Sequence, residues 1–227
     1  MIGIDHSPGM IEQARIKAHQ LALNEVVVFN QSDAEQLEFA DQSFDVVFSL
    51  YALFHFPDPL GALGEMYRVL RPGGRIVIGV GSGPALLSRK GMLCGMQRLI
   101  DLVAAARGRL LIAPQFLQHL MAEHEINLNG TQGPRTSELR TKRMLRQVGF
   151  KRIRRHWQGC REDLDPDDFW RVQVTFASRE RIRLQEASAD ELAELKQDFL
   201  ERCRRVQAKN GKLLYPHGAM LYAARRC

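Results

Sequence analysis

The stretch VVVFNQSDAEQLEFADQSFDVVFSL (residues 26–50), continuing through YALFHFPDP (51–59) to RVLRPGGRIVIG (68–79), decides the reading of this chain. Three short apolar runs rich in β-branched residues stand in it: Val26–Asn30, Phe44–Ser49 and Arg75–Val80. Runs of that length and composition suit strands buried on both faces. Between the second and third, Pro59–Leu70 reads as helix. Asp58 can accept from the free N–H groups of its first turn, and Pro59 stands at the first helical position. Leu60, Leu63, Met66, Tyr67 and Leu70 recur at helical spacing, and Pro72-Gly73-Gly74 is expected to stop the helix and turn the chain. Strand, helix, turn and strand in that order predict a parallel α/β sheet.

Five segments carry a resemblance: IGIDHSPGM (2–10), SDAE (32–35), FDVVFS (44–49), FHFPDP (54–59) and LRPGG (70–74). In this order and spacing the chain resembles the class I S-adenosylmethionine-dependent methyltransferases, in the small-molecule (type 11) group that includes quinone methyltransferases. The likeness covers roughly the first third. It implies a Rossmann-like α/β sheet, mostly parallel with an antiparallel last strand, with S-adenosylmethionine as cofactor and a small molecule as methyl acceptor.

Working outward, Met1–Asp5 reads as the end of a strand with an acid at its carboxyl end. In nucleotide-binding α/β folds such an acid accepts from ribose hydroxyls. The resemblance assigns Asp5 to the ribose and His6 to the adenine face; alternatively, Asp5 only begins a turn. Ser7 is expected to cap a helix with Pro8 at its first position, a buried stripe of Met10, Ile11, Ala14, Ala18 and Leu21, and Asn24 at its end. Asp33, after the second strand, can accept from the adenine amino group, with the Ala34 backbone meeting the ring nitrogens; a plain helix cap would look the same. Ser49 should emerge where the sulfonium end sits, since ligands of such sheets bind outside the carboxyl ends of strands. His55 is the candidate base, because imidazole titrates near neutrality. It could equally pack beside Phe54 and Phe56. Methyl transfer does not always need a base, as the sulfonium is already activated and the protein's work is alignment.

Gly79-Val80-Gly81-Ser82-Gly83 mimics a cofactor glycine loop after a strand. It follows Arg71-Pro72-Gly73-Gly74, where the family places a later strand, so it reads as a strand exit. The family's first strand and glycine-rich loop should precede Ile2 by about 20 residues from loop to acid. They are not found before Asp5, and that strand belongs between the one ending at Asp5 and the one at Asp45–Ser49. Residues 1–83 are therefore read as a partial cofactor-binding core, truncated at the N-terminus, and the chain as it stands is expected to be inactive. The alternative is a non-catalytic remnant or partner-binding protein. A nicotinamide dehydrogenase would also put an acid on a ribose, but Ser32–Glu35 and Arg71–Gly74 speak against it.

Residues 84–134 read as a helical lid or acceptor-pocket insertion, with Leu93, Met96, Leu99, Ile100 and Val103 on one helix face, a short helix at Pro114–Met121 and a loop at Asn127–Pro134. Residues 135–227 complete the same domain. They contain a helix at Ser137–Val148 closed by Gly149, a strand at Phe150–Trp157, a helical insertion over 161–212 with a Ser188/Glu191 capping box, and a final strand at Met220–Ala224. Eight Lys/Arg between Arg140 and Arg155, with no acid among them, read as a solvated face, so nucleic acid is not expected.

The 227 residues carry a net charge of +6. Residues 1–83 hold five Lys/Arg against ten Asp/Glu, so the excess arises downstream. No apolar run spans a bilayer and no secretory signal is visible, which makes the cytoplasm the expected location. Cys94, Cys160, Cys203 and Cys227 lack metal or disulfide spacing, and His119 and His124 do not share a helix face. No metal site is expected.

Overall fold

The computed structural model describes residues 1–81, 89–126, 138–176 and 178–227. They fall into two compact units: Met1–Ser82, Arg135–His156 and Met220–Cys227 make one, Gly83–Pro134 and Trp157–Ala219 the other.

The first unit opens with β1 (Ile2–Asp5), α1 (Pro8–Gln20) and β2 (Val28–Gln31). Strands β1 and β2 pair in parallel, with Ile2 opposite Val28 and Asp5 opposite Gln31. Ser7 caps α1 as expected, its hydroxyl accepting from Met10 N–H at 3.4 Å. The helix ends at Leu21 rather than Asn24, and of the expected stripe only Ile11 and Ala18 are buried; Met10 and Leu21 are exposed.

Next come β3 (Phe44–Leu50), a single 3-10 turn at Leu53–His55, α2 (Pro59–Val69) and β4 (Leu70–Gly81). Asp58 caps α2, accepting from Leu60 N–H at 3.1 Å. Strands β3 and β4 are parallel, Val47 opposite Ile76 and Leu50 opposite Gly79. Arg71-Pro72-Gly73-Gly74 is not a free turn: it lies within β4, and the register slips between Phe44 and Val46 to absorb it. Two pairings explain why. Gly73 N–H donates to Arg226 O and Arg226 N–H to Gly74 O, while a Cβ at Gly74 would meet the Arg71 carbonyl oxygen at 2.8 Å. Only glycine lets the backbones approach this closely.

Helix α5 (Glu138–Val148) closes on Gly149, whose φ is +112°, and leads into β6 (Lys151–Asp163); the predicted Ser137 start lies outside the described residues. Strand β7 (Lys212–Arg225) pairs with both β4 and β6. Leu164 N–H donates to Leu213 O, and Gly218 lies beside Gln158 O, so β6 and β7 run in opposite senses, as expected of the last strand. The core of this unit joins Leu63, Met66, Ile76, Ile78, Leu145, Phe150 and Tyr222, all at most 5 % exposed. Tyr67 meets Phe150 edge-on at 4.9 Å.

One expectation fails here. Strand β3 was to be buried on both faces, yet Val46, Phe48 and Leu50 are each more than half exposed. Strands β1 and β2 form a separate two-stranded sheet, and no described strand pairs with the side of β3 away from β4. The three residues are two apart and so share one face of β3, which is left uncovered among the described residues.

The second unit holds α3 (Arg89–Ala106), β5 (Leu110–Ile112), α4 (Gln115–Glu123), α6 (Pro166–Phe176), α7 (Ser178–Glu186) and α8 (Ala189–Gln207). Strand β5 pairs in parallel with the start of β7, Leu110 opposite Lys212. Leu117, Leu120, Phe169, Leu195, Phe199 and Cys203 form its core. Trp170 stands edge-on to Phe199 at 5.0 Å. The Ser188/Glu191 capping box is present, each side chain bonded to the other residue's backbone N–H. Helix α3 shows the predicted apolar face, but Leu93, Met96, Leu99, Ile100 and Val103 are all exposed. The predicted loop at Asn127–Pro134 lies outside the described residues. Among the described residues no helix is long and apolar enough to cross a membrane.

Candidate nucleoside-binding site

The parallel register of β1 and β2 puts Asp5 and Gln31 side by side at the carboxyl edge. Ser32 N–H donates to Asp5 O at 3.1 Å, and Gln31 Nε2 to His6 O at 3.1 Å, so the two strand exits are stitched together. Asp5 does begin a turn: its Oδ1 accepts from Ser7 N–H at 2.8 Å. Oδ2 keeps no protein partner among the described residues, so the turn and a ribose contact are compatible on one carboxylate. Asp33 repeats the pattern, its Oδ1 accepting from Glu35 N–H at 2.8 Å. His6 and Asp33 are exposed and Ala34 is half-buried.

Ser49 is the last residue but one of β3, in the other sheet of this unit. Its hydroxyl is buried and finds no hydrogen-bond partner among the described residues. A buried polar group without a partner is costly and marks a position for an absent donor or acceptor. The chain then turns sharply: Tyr51 adopts φ +60° while its N–H donates to Gly79 O at 2.8 Å. For a bulky residue that conformation is strained, and such strain clusters at functional edges. His55 is exposed on the 3-10 turn.

Sequence reasoning missed the clamp that joins these loops. Glu35 Oε1 accepts from Asp58 N–H at 3.1 Å, tying the exit of β2 to the start of α2. Arg68 donates to Glu65, Asp41, Phe39 O and Leu37 O at 2.6–2.8 Å, pinning the 37–41 segment on α2. Arg68 and Leu37 N–H together hold the Glu65 carboxyl below its usual range. Only the Glu65–Arg68 pair, three residues apart on α2, is written in local spacing; the other partners lie in other segments.

Gly79 is no cofactor loop. A Cβ there would strike Leu50 Cδ2 at 2.8 Å and Leu221 Cδ2 at 3.2 Å, so neighbouring strands already fill the space. Ser82 and Gly83 lie outside the described residues. A cleft of about 360 Å³ lies at the start of α2, between Pro57–Leu60 and Arg140, Arg143, Met144 and Gln147 of α5. None of the predicted cofactor residues lines it.

Residues 1–78 match the family described as methyltransferase domain. The fold is that of the class I S-adenosylmethionine-dependent methyltransferases. The matched segment is 44 % identical over 78 residues to a demethylmenaquinone methyltransferase of Thermus thermophilus, covering 34 % of each chain. It is 42 % identical over 77 residues to the 27-O-demethylrifamycin SV methyltransferase of Amycolatopsis mediterranei, and 40 % over 76 to a phosphatidylethanolamine N-methyltransferase of Cereibacter sphaeroides. These alignments cover 34 % of this chain and 28 % and 37 % of the two relatives. The matched part of the chain thus spans about a third of the curated relatives' length. Two solved structures share the methyltransferase fold across 99 % of the chain: the YcgJ protein of Bacillus subtilis (TM-score 0.54, 19 % identity, 81 % of that chain) and a putative methyltransferase of Bacillus halodurans (0.53, 16 %, 82 %).

Proposed function

We propose that this chain carries the nucleoside-binding edge of an S-adenosylmethionine-dependent methyltransferase acting on a small-molecule acceptor. The observation that carries the reading is the pair of acids at the carboxyl edge of β1 and β2, each using one oxygen for a turn, within the segment of methyltransferase sequence. Asp5 Oδ2 accepts from a ribose hydroxyl. The free oxygen of Asp33 accepts from the adenine amino group, the Ala34 backbone faces the ring and His6 flanks it. Ser49 supplies its unpaired hydroxyl at the methyl-bearing end, and His55 stands in solvent, where it can take a proton from an acceptor hydroxyl. The bound sulfonium supplies an already activated methyl group.

Isothermal calorimetry tests this reading. In S-adenosylmethionine titrations, Asp5→Ala should cost roughly 1.5–3 kcal/mol of cofactor affinity, the scale of a hydrogen bond to a charged group. Unchanged affinity in Asp5→Ala would remove that residue from the site.

A further inference from the structure

Two neighbouring side chains of β6, Cys160 and Glu162, meet His217 of β7 on the β6–β7 ladder. Their ligand atoms, one thiol sulfur, one carboxylate oxygen and one imidazole nitrogen, all lie within 4.8 Å of one another. We propose that they form a zinc-class metal site that leaves one coordination position open.

The ladder itself builds the arrangement. Cys160 and Glu162 are two apart on β6, so they project from the same face. His217 comes from the antiparallel neighbour, and its ring stacks on Tyr215 at 5.2 Å, which fixes its orientation on that same face. On the opposite face Trp157 lies across two glycines: a Cβ at Gly159 would strike its ring, and one at Gly218 would meet it at 3.0 Å. The strands are thereby held close where the three donors stand.

The donor chemistry selects the metal. A thiolate with an imidazole and a carboxylate suits a borderline-soft divalent ion, whereas magnesium and calcium take oxygen ligands only. Tetrahedral zinc with bonds of about 2.0–2.3 Å places its ligands roughly 3.4–3.8 Å apart. Closing from the present spacing needs about 1 Å of movement by exposed side chains on fixed strands. All three residues are exposed, so the fourth position is open to water. Binding releases the thiol proton to solvent. Cysteine spacing alone hides the site, because its histidine comes from another strand.

Cobalt(II) and zinc(II) titrations of the whole chain test the site, in a Cys94→Ser/Cys227→Ser background that leaves only Cys160 and the buried Cys203. One equivalent of cobalt should give a thiolate-to-metal charge-transfer band, and zinc should displace it at micromolar concentration. Cys160→Ser and His217→Ala should abolish the band. Glu162→Gln should weaken zinc binding at least about 10-fold, as should Tyr215→Ala through loss of ring orientation. Thermal melts in chelator that match the parent would show that each variant still folds. A band that survives Cys160→Ser, equal zinc affinity in His217→Ala, or no zinc binding at micromolar concentration in the parent would overturn the proposal.

Discussion

Cys203 and Cys160 carry the same thiol into opposite surroundings. Cys203 is fully buried among the aromatic residues of the second unit, and burial pushes its pKa up to about 12. Cys160 and Cys227 are exposed. Since the thiolate is the reactive form, a disulfide reagent at neutral pH should modify Cys160 and Cys227 promptly and Cys203 only after denaturation. Equal rates for Cys203 and Cys160 in the native protein would contradict the packing described. Arg202 poses a second residue-scale question. Its guanidinium donates to Glu123 and Asp198, and His124 Nε2 lies 3.2 Å from Asp198. Both carboxyls are held below their usual range, chiefly by Arg202. A carboxyl whose folded pKa is depressed contributes stability above its unfolded pKa and loses it as pH falls through the folded value. Urea midpoints should therefore decline below roughly pH 4, and Arg202→Met should flatten that decline. A parallel decline in the variant would assign the acid sensitivity elsewhere.

At the scale of elements, the helix caps were legible and the long-range closures were not. Ser7, Asp58 and the Ser188/Glu191 box act within one turn of their own helix, so the sequence order already contains each pair. The same holds for the acids at the strand ends, whose turns need only the next two residues. Arg226 differs. Its guanidinium donates to the carbonyls of Tyr67, Arg68 and Leu70 at 2.6–2.8 Å and lies 4.7 Å from the centre of the Tyr67 ring. It thus satisfies the orphan carbonyls at the end of α2 and complements the helix dipole from across the chain. No local pattern could announce it, nor the bulge of Arg71–Gly74, whose partner is the same distant segment. Arg226→Ala should cost roughly 1–3 kcal/mol, read as a lower urea midpoint with an unchanged slope. An unaffected midpoint would show that water replaces the guanidinium at little cost.

At the scale of the molecule, one edge of β3 has no hydrogen-bonded neighbour among the described residues. Strands β1–β2 and β3–β4–β7 form two separate hydrogen-bonded sets, and one face of β3 exposes Val46, Phe48 and Leu50. The apolar pattern was readable because a run of β-branched and aromatic residues writes it; which residues cover it was not, since a strand sequence does not name its partner. An apolar strand with an open edge templates pairing with other chains. Light scattering of residues 1–227 should show concentration-dependent association, and Phe48→Thr should reduce it. Equal scattering from both proteins would place the sticky surface elsewhere, with the exposed face of α3 next to be tested.

Strand β7 has a bearing on synthesis. Each unit is assembled from separated pieces of chain, and β7 supplies residues to both. As the chain leaves a ribosome, β1, α1 and β2 can fold at once, being close in sequence. Strand β4 must wait for the segment around Arg226 before its bulge closes. For most of translation the nascent chain therefore carries an unfinished sheet, and its protection from wrong partners rests on how quickly the last strand arrives.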